Sequence, residues 1–224
     1  DEAERERISD VFTQQGRSGG FAHFASALDA YTDDWVSIRT KVCEATHLHG
    51  EQSGSLLDQR MHCLDQRLAY LDTLNEQLTS ELGPEALDRA IRAVQRMPSF
   101  ELCTNRHSLV SQEPLPDDVD DRKRALNIQQ MCDEADALSQ LGSVSEAKEL
   151  LETALEISTS HNATRARVHK SLGALLLDEG QREEGERHMR EAIALGTRAG
   201  NDRMVASAWL ALMHLAGVEN EDYD

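Results

Sequence analysis

Aromatic side chains make up only 4% of this 224-residue chain, and its 39% hydrophobic content is carried mainly by alanine and leucine. Alanine and leucine pack helices closely and are poor strand formers, so the shortage of aromatic and β-branched residues points away from sheets and towards helix pairs. Basic residues are also short. The 23 Lys and Arg stand against 41 Asp and Glu, for a net charge of −18, shared as −8 over residues 1–116 and −10 over 117–224. Either half repels a phosphate backbone, so nucleic acid is not an expected partner. Long apolar runs are missing too: the longest leucine cluster is Ala174-Leu175-Leu176-Leu177, far short of the roughly 20 residues that cross a bilayer.

The familiar signatures of catalysis are absent as well. A kinase needs a Gly-rich loop over the phosphates, a catalytic-loop Asp and metal-holding carboxylates, and the sequence offers none of these patterns. It has no nucleophile elbow, phosphate loop, dinucleotide fingerprint or His-Glu-x-x-His pair either. The expectation is a chain without catalytic residues and without a cofactor. It opens Asp1-Glu2-Ala3-Glu4, with no initiator Met and no signal-peptide pattern, which reads as a mature or excised piece of a longer protein.

What is present is helical periodicity. Ile8, Val11 and Phe12 mark a first modest helix before Gly16-Arg17-Ser18-Gly19-Gly20 interrupts it. Phe24, Leu28, Tyr31, Trp35, Ile38, Val42 and Ala45 then step by threes and fours. After Gly50-Glu51-Gln52-Ser53-Gly54 the same stepping resumes at Leu57, Met61, Leu64, Leu68, Leu71 and Leu78. Folded antiparallel about Ser53, the two seams meet level by level: Ala45 with Met61, Val42 with Leu64, Ile38 with Leu68, Trp35 with Leu71, Leu28 with Leu78. Tyr31 falls level with Asn75, the one polar seam residue, as ordinary core chemistry. Gly83-Pro84 stops this helix and opens a shorter one that ends before Pro98. From Ser99 the pattern dissolves, and Gln112-Glu113-Pro114-Leu115-Pro116 reads as an extended linker, since the residue before each Pro is held out of the helical region. This places a boundary near residue 116.

The remainder repeats. Ala135, Gly142, Ala147, Leu151 and Ala154 recur 38 residues on as Gly173, Gly180, Gly185, Met189 and Ala192, and one more step takes Leu172-Gly173 to Leu210-Ala211. The pattern resembles the tetratricopeptide (TPR) repeat: a small residue inside the first helix, Gly near the turn, then small, bulky and small residues in the second. Gly185 stands where that family usually has Ala, and four extra residues separate the hairpins. The resemblance implies an all-α fold. A helical bundle over 1–116, with a long hairpin at about 21–49 and 55–82, precedes a TPR-like superhelix over 117–224. The superhelix comprises hairpins at about 122–160 and 161–199 and a terminal helix at about 201–216.

The N-terminal half carries a second resemblance, on Cys43-Glu44-Ala45-Thr46, Gly50-Glu51-Gln52-Ser53, Leu57-Asp58, Arg60-Met61 and Cys63-Leu64. It is similar to the helical segment of myxobacterial-type serine/threonine protein kinases, which lies between a membrane span and C-terminal TPRs. Leu28-Asp29-Ala30-Tyr31, Trp35, Pro98 and Cys103 extend the likeness, while His47 and His49 stand where such segments often carry Arg. The resemblance implies a sensing and interaction region on the extracytoplasmic side of a membrane-anchored kinase, with kinase domain and span outside residues 1–224. A free-standing cytoplasmic TPR adaptor is the alternative, and a metal-dependent enzyme a third reading.

In a TPR array the first helix of each hairpin lines the binding groove. Family register puts Gln129, Cys132, Asp133, Asp136 and Gln140 there from the first hairpin. Arg167, Lys170, Ser171, Ala174 and Asp178 follow from the second, and Val205 and Trp209 from the last helix. The expected partner is a protein or peptide. Trp209, Leu212 and Leu215 have no following hairpin in this sequence, and three readings stay open for them: ordinary packing, a truncated array, or self-association through the last helix.

Cys43 and Cys63 are level in the hairpin register, yet an ideal two-helix coil turns them to opposite sides. Three fates fit them: a Cys43–Cys63 disulfide, thiols that merely pack, or a zinc site of Cys43, His47 and Cys63. Cys103 pairs with one of these or with a residue elsewhere, and Cys132 sits alone on a repeat helix. His107, His161, His169, His188 and His214 read as scattered surface or interface histidines.

Overall fold

The computed structural model describes residues 2–79, 84–106, 109, 115–158 and 161–220. Every described element is an α-helix, and no strand occurs among the described residues. The chain forms two compact units, one of residues 1–110 with 140–143, the other of 111–139 with 144–224.

The first unit holds α1 (Glu2–Gln14), α2 (Ser18–His47), α3 (Gly54–Thr79), α4 (Pro84–Gln95) and the single turn α5 (Glu101–Thr104). The long hairpin is therefore present as α2 and α3. It is not, however, a self-sufficient two-helix coil. One end is filled by Ile8 and Phe12 of α1 and by Leu87, Ala90 and Val94 of α4, packed with Phe24, Leu74, Leu78 and Leu141. Phe12 lies against both Phe21 and Phe24. At the other end Cys63, Leu64, Phe100 and Cys103 form a second core, with Tyr31, Trp35 and Ile38 against it.

This second core changes the expected layers. Tyr31 does not seek Asn75: its hydroxyl donates to the Pro98 carbonyl at 2.8 Å, and its ring stacks on Phe100 with centroids 4.4 Å apart. Burial there pushes the Tyr31 phenol up to about 12, partly opposed by the Arg67 charge. Trp35 donates its indole N–H to the Leu64 carbonyl at 2.8 Å. Leu68, expected in the seam, is 37% exposed. In the stretch where periodicity dissolves, Phe100 and Cys103 enter the hairpin beside Tyr31 and Trp35, so this end is not a simple two-helix ladder. The end of the expected hairpin at 80–83 and the linker residues Gln112–Pro114 lie outside the described residues.

The second unit contains α6 (Val119–Leu141) as far as Ser139, α7 (Val144–Glu156), α8 (Asn162–Asp178), α9 (Arg182–Arg198) and α10 (Asp202–Asn220). Asp118 starts α6, its Oδ1 accepting from the Asp120 and Asp121 amides at 3.0 and 2.9 Å. Gly142 and Gly180, 38 residues apart in the repeat, end the first helix of each hairpin with φ of 91° and 74°, a conformation that other residues adopt only under strain. Ile128, Cys132, Ala135 and Leu138 of α6 pack with Ala147, Leu151 and Ala154 of α7 and with Val168, Leu172 and Leu175 of α8. The small residues sit at the crossings: Ala135, Ala147 and Ala154 are fully buried.

The step to the last helix is not 38. His161 caps α8 by accepting from the Thr164 amide, and Asn201 caps α10 by accepting from the Met204 amide, forty residues on. Burial follows the same register, with Thr164 and Val168 answered by Met204 and Ala208. The helix also runs to Asn220, beyond the expected end at 216.

Candidate functional site: the first-helix face and the stripe on α10

Four of the groove residues expected on α6 and α8, Cys132, Asp133, Asp136 and Arg167, meet around one ion pair. Arg167 of α8 donates to Oδ1 of Asp133 of α6, and Asp133 is 6% exposed. Burial works against the Arg167 charge, and Asp133, Cys132 and Asp136 more than offset it, so the guanidinium is held firmly protonated. The thiol of Cys132 beside them is pushed up to about 12, chiefly by burial, with Arg167 opposing and the two aspartates adding. A thiol held neutral in this way is a poor nucleophile. The pair stitches the two hairpins together, so this part of the face is framework, not an open grip for ligand.

The other expected residues divide. Gln129, Asp136, Lys170 and Ala174 are half-buried, Ser171 is buried, and Asp178 is exposed. Gln140 is half-buried at the end of α6 and is grouped with the first unit. Val205 packs on α9, its Cγ2 3.0 Å from the place a Cβ on Gly196 would take.

Trp209 needs a correction. Counted by 38, it matches Ser171 on the groove; counted by the caps, it matches His169. His169 and Gly173 are among the α8 residues that face α9, against His188 and Met189 respectively. On α10 the corresponding positions are Trp209 and Met213. Trp209 is 51% exposed and Met213 and Leu210 are each 64% exposed. Leu212 and Leu215, named with Trp209 from the sequence, are instead half-buried. From Met204 to Val218 the helix carries no Asp, Glu, Lys or Arg, in a chain that is 29% charged. The stripe stands where the preceding hairpin carries its second helix. Met213 replaces the glycine that allowed that helix to come close.

The cysteines are also corrected. Cys63 is bonded to Cys103, with Cα atoms 5.4 Å apart, and Cys43 is a free, half-buried thiol. The Cys43–Cys63 bridge fails for the azimuthal reason, whereas α5 delivers Cys103 directly onto the α3 face that carries Cys63. With Cys63 consumed, the Cys43, His47 and Cys63 zinc set is lost, and His47 is exposed. Among the described residues no group of three or more His, Cys, Asp or Glu is placed to hold a metal. No described helix is long and apolar enough to cross a membrane.

One cluster was missed in the sequence. His169 and His188, 6% and 5% exposed, meet Nδ1 to Nδ1 at 3.0 Å between α8 and α9. Arg187 can only donate, so His188 accepts it at Nε2 (2.8 Å) and carries its own proton on Nδ1. That proton is donated to His169, whose proton therefore sits on Nε2. Burial, then the neighbouring His188, lowers His169 to about 4, and burial and Arg187 lower His188. The signal available was their placement, each buried on the inner face of its own helix. The sequence matches no family model, no curated protein and no solved structure.

Proposed function

We propose that this chain is a non-catalytic, TPR-like protein-interaction module, and that it forms the sensing region of a membrane-anchored serine/threonine kinase. The observation that carries the interaction reading is the uncharged stripe of Trp209, Leu210 and Met213 on α10. An exposed Trp beside two large aliphatic side chains is what a binding hot spot is made of. The repeated small-residue crossings and capped hairpins support the TPR-like reading. The kinase link rests on the sequence resemblance alone.

The Cys63–Cys103 disulfide supports the extracytoplasmic side over the cytoplasmic alternative, because buried structural disulfides persist where thiols are not kept reduced. The partner is a peptide or protein that lays an apolar helical face on α10. Peptide display against the wild-type chain, counter-selected on the Trp209→Ala, Met213→Ser double variant, tests this reading. Enrichment of sequences with apolar residues at i, i+3 and i+4, whose binding the double variant loses, supports it. Binding that the double variant retains, or no enrichment at all, overturns it. Sedimentation velocity on the same two proteins separates a foreign partner from a second copy of the chain.

A further inference from the structure

A cavity of about 630 Å³ opens in the first unit between α1, α2 and α3. Its floor is apolar: Ile8, Phe24 and Leu71 are 6%, 2% and 9% exposed, and Leu68, at 37%, extends the apolar surface towards solvent. Its rim is charged and unbalanced. Among the described residues Glu2, Asp29 and Asp72 line it, against the single cation Arg5. Arg5 already holds Asp29, its Nη1 lying 3.0 and 2.8 Å from the two carboxylate oxygens. Among the described residues, Glu2 and Asp72 therefore give the rim two negative charges over an apolar floor.

From this geometry we infer a binding site for a small amphiphilic organic cation, an apolar body carrying one ammonium or guanidinium group. The volume lies within the roughly 300–1,000 Å³ of pockets that enclose small molecules. The apolar body displaces water from Ile8, Phe24, Leu68 and Leu71. The cationic head remains at the rim beside Asp72, where solvent still reaches it and desolvation costs little. An anionic amphiphile of the same length gains the same floor but meets the wrong sign of charge. Arg5 is the internal competitor: it occupies Asp29, which an incoming cation would otherwise share. The site lies in the unit that does not contain α10, so it stands or falls independently of the interaction reading.

The test uses decyltrimethylammonium and decyl sulfate, each below its micelle concentration, with the whole chain, read by isothermal titration calorimetry. The expected result is saturable one-to-one binding of the cation and weaker binding of the anion. Asp72→Asn weakens the cation by about two- to fivefold, and Arg5→Ala strengthens it by a similar factor. Glu152→Gln, which removes the same charge from the exposed surface of the other unit, leaves it unchanged. Leu68→Ser weakens both amphiphiles. Equal affinity for cation and anion, non-saturable uptake of the cation, or equal effects of Asp72→Asn and Glu152→Gln would overturn the site. Circular dichroism of each variant confirms that the helices are retained.

Discussion

Gly173 and Gly185 face each other across the second hairpin so closely that a Cβ on either would press on its neighbours. A Cβ on Gly173 would lie 3.1 Å from the Gly185 carbonyl oxygen and 3.0 Å from Met189 Cγ. A Cβ on Gly185 would meet Leu177 Cγ at 2.7 Å and the Gly173 carbonyl at 3.1 Å. The first hairpin places Ala135 and Ala147 at the same repeat positions, both fully buried. The second hairpin has thus closed further than the first, and the departure of Gly185 from the usual Ala follows from that closer approach.

Gly173→Ala and Gly185→Ala are therefore expected to destabilise the chain. Alanine gains about 1 kcal/mol of helix propensity over glycine, but overpacking against backbone costs about 1–3 kcal/mol. The net loss is up to about 2 kcal/mol. Gly217 is the control: a Cβ there meets nothing within 4 Å, so Gly217→Ala gains up to about 1 kcal/mol. Urea midpoints of the three variants decide it, and a stabilised Gly185→Ala would show that the helices separate at little cost.

Helix content, the long hairpin and the repeat were legible because each is written in local periodicity: Leu28 and Leu78 reach one core, and Ala135 and Gly173 reach equivalent crossings. Two things were not legible, for one reason. Cys103 lies in a four-residue helix too short to show a period, with Phe100 just before it, yet the two set the true disulfide and the new surroundings of Tyr31 and Trp35. The last repeat step failed similarly. Counting by Leu-Gly and Leu-Ala identity gave 38, whereas the caps at His161 and Asn201 give forty, and the two-residue slip carries Trp209 from the groove to the opposite side. Identity alone does not fix rotation about a helix. A capping hydrogen bond does.

The disulfide carries its own prediction. Closing a loop across a sequence separation of 40 residues contributes about 3–4 kcal/mol in the chain-entropy treatment, so reduction should lower the unfolding midpoint sharply. Thiol titration gives the assignment directly. Cys43 reacts in the native chain, Cys43 and Cys132 react in denaturant without reductant, and all four cysteines react once reductant is added. Protection of Cys43 in denaturant without reductant would contradict this pairing.

The ion pair of Asp133 and Arg167 is stabilising chiefly because losing one partner is costly. Removing one member of a fully buried pair costs about 3–5 kcal/mol. The Arg167 side chain keeps 31% of its exposure, which lets water screen the stranded charge and brings Asp133→Ala down to about 1–3 kcal/mol. Asp133→Leu combined with Arg167→Met should recover much of that loss, since no charge is then left behind. A double-mutant cycle on urea midpoints measures the coupling, and additive losses would mean that the two groups do not act as a pair.

His169 and His188 predict a pH dependence whose sign is fixed by burial. The unfolded chain takes up a proton on each histidine near pH 6.5, whereas folded His169 resists it until about pH 4. Between those values the unfolded state binds more protons, so this contribution is complete above about pH 7 and is lost as pH falls through the window. One proton gives a slope of at most about 1.4 kcal/mol per pH unit. Glu191 and Glu184 favour the charged rings, while Arg165 and Arg187 oppose them, and burial outweighs these charges in setting the direction. Acidification also relieves the repulsion within a chain of net charge −18, so the wild-type curve alone is not diagnostic. His169→Gln keeps a carbonyl to accept the His188 Nδ1 proton but cannot itself titrate. The difference in unfolding free energy, wild type minus His169→Gln, should be constant above pH 7 and fall steadily from about pH 6.5 to 4.5. A difference that stays flat, or that rises on acidification, would place the His169 proton on the folded chain as readily as on the unfolded one and dissolve the tautomer chain from Arg187 through His188.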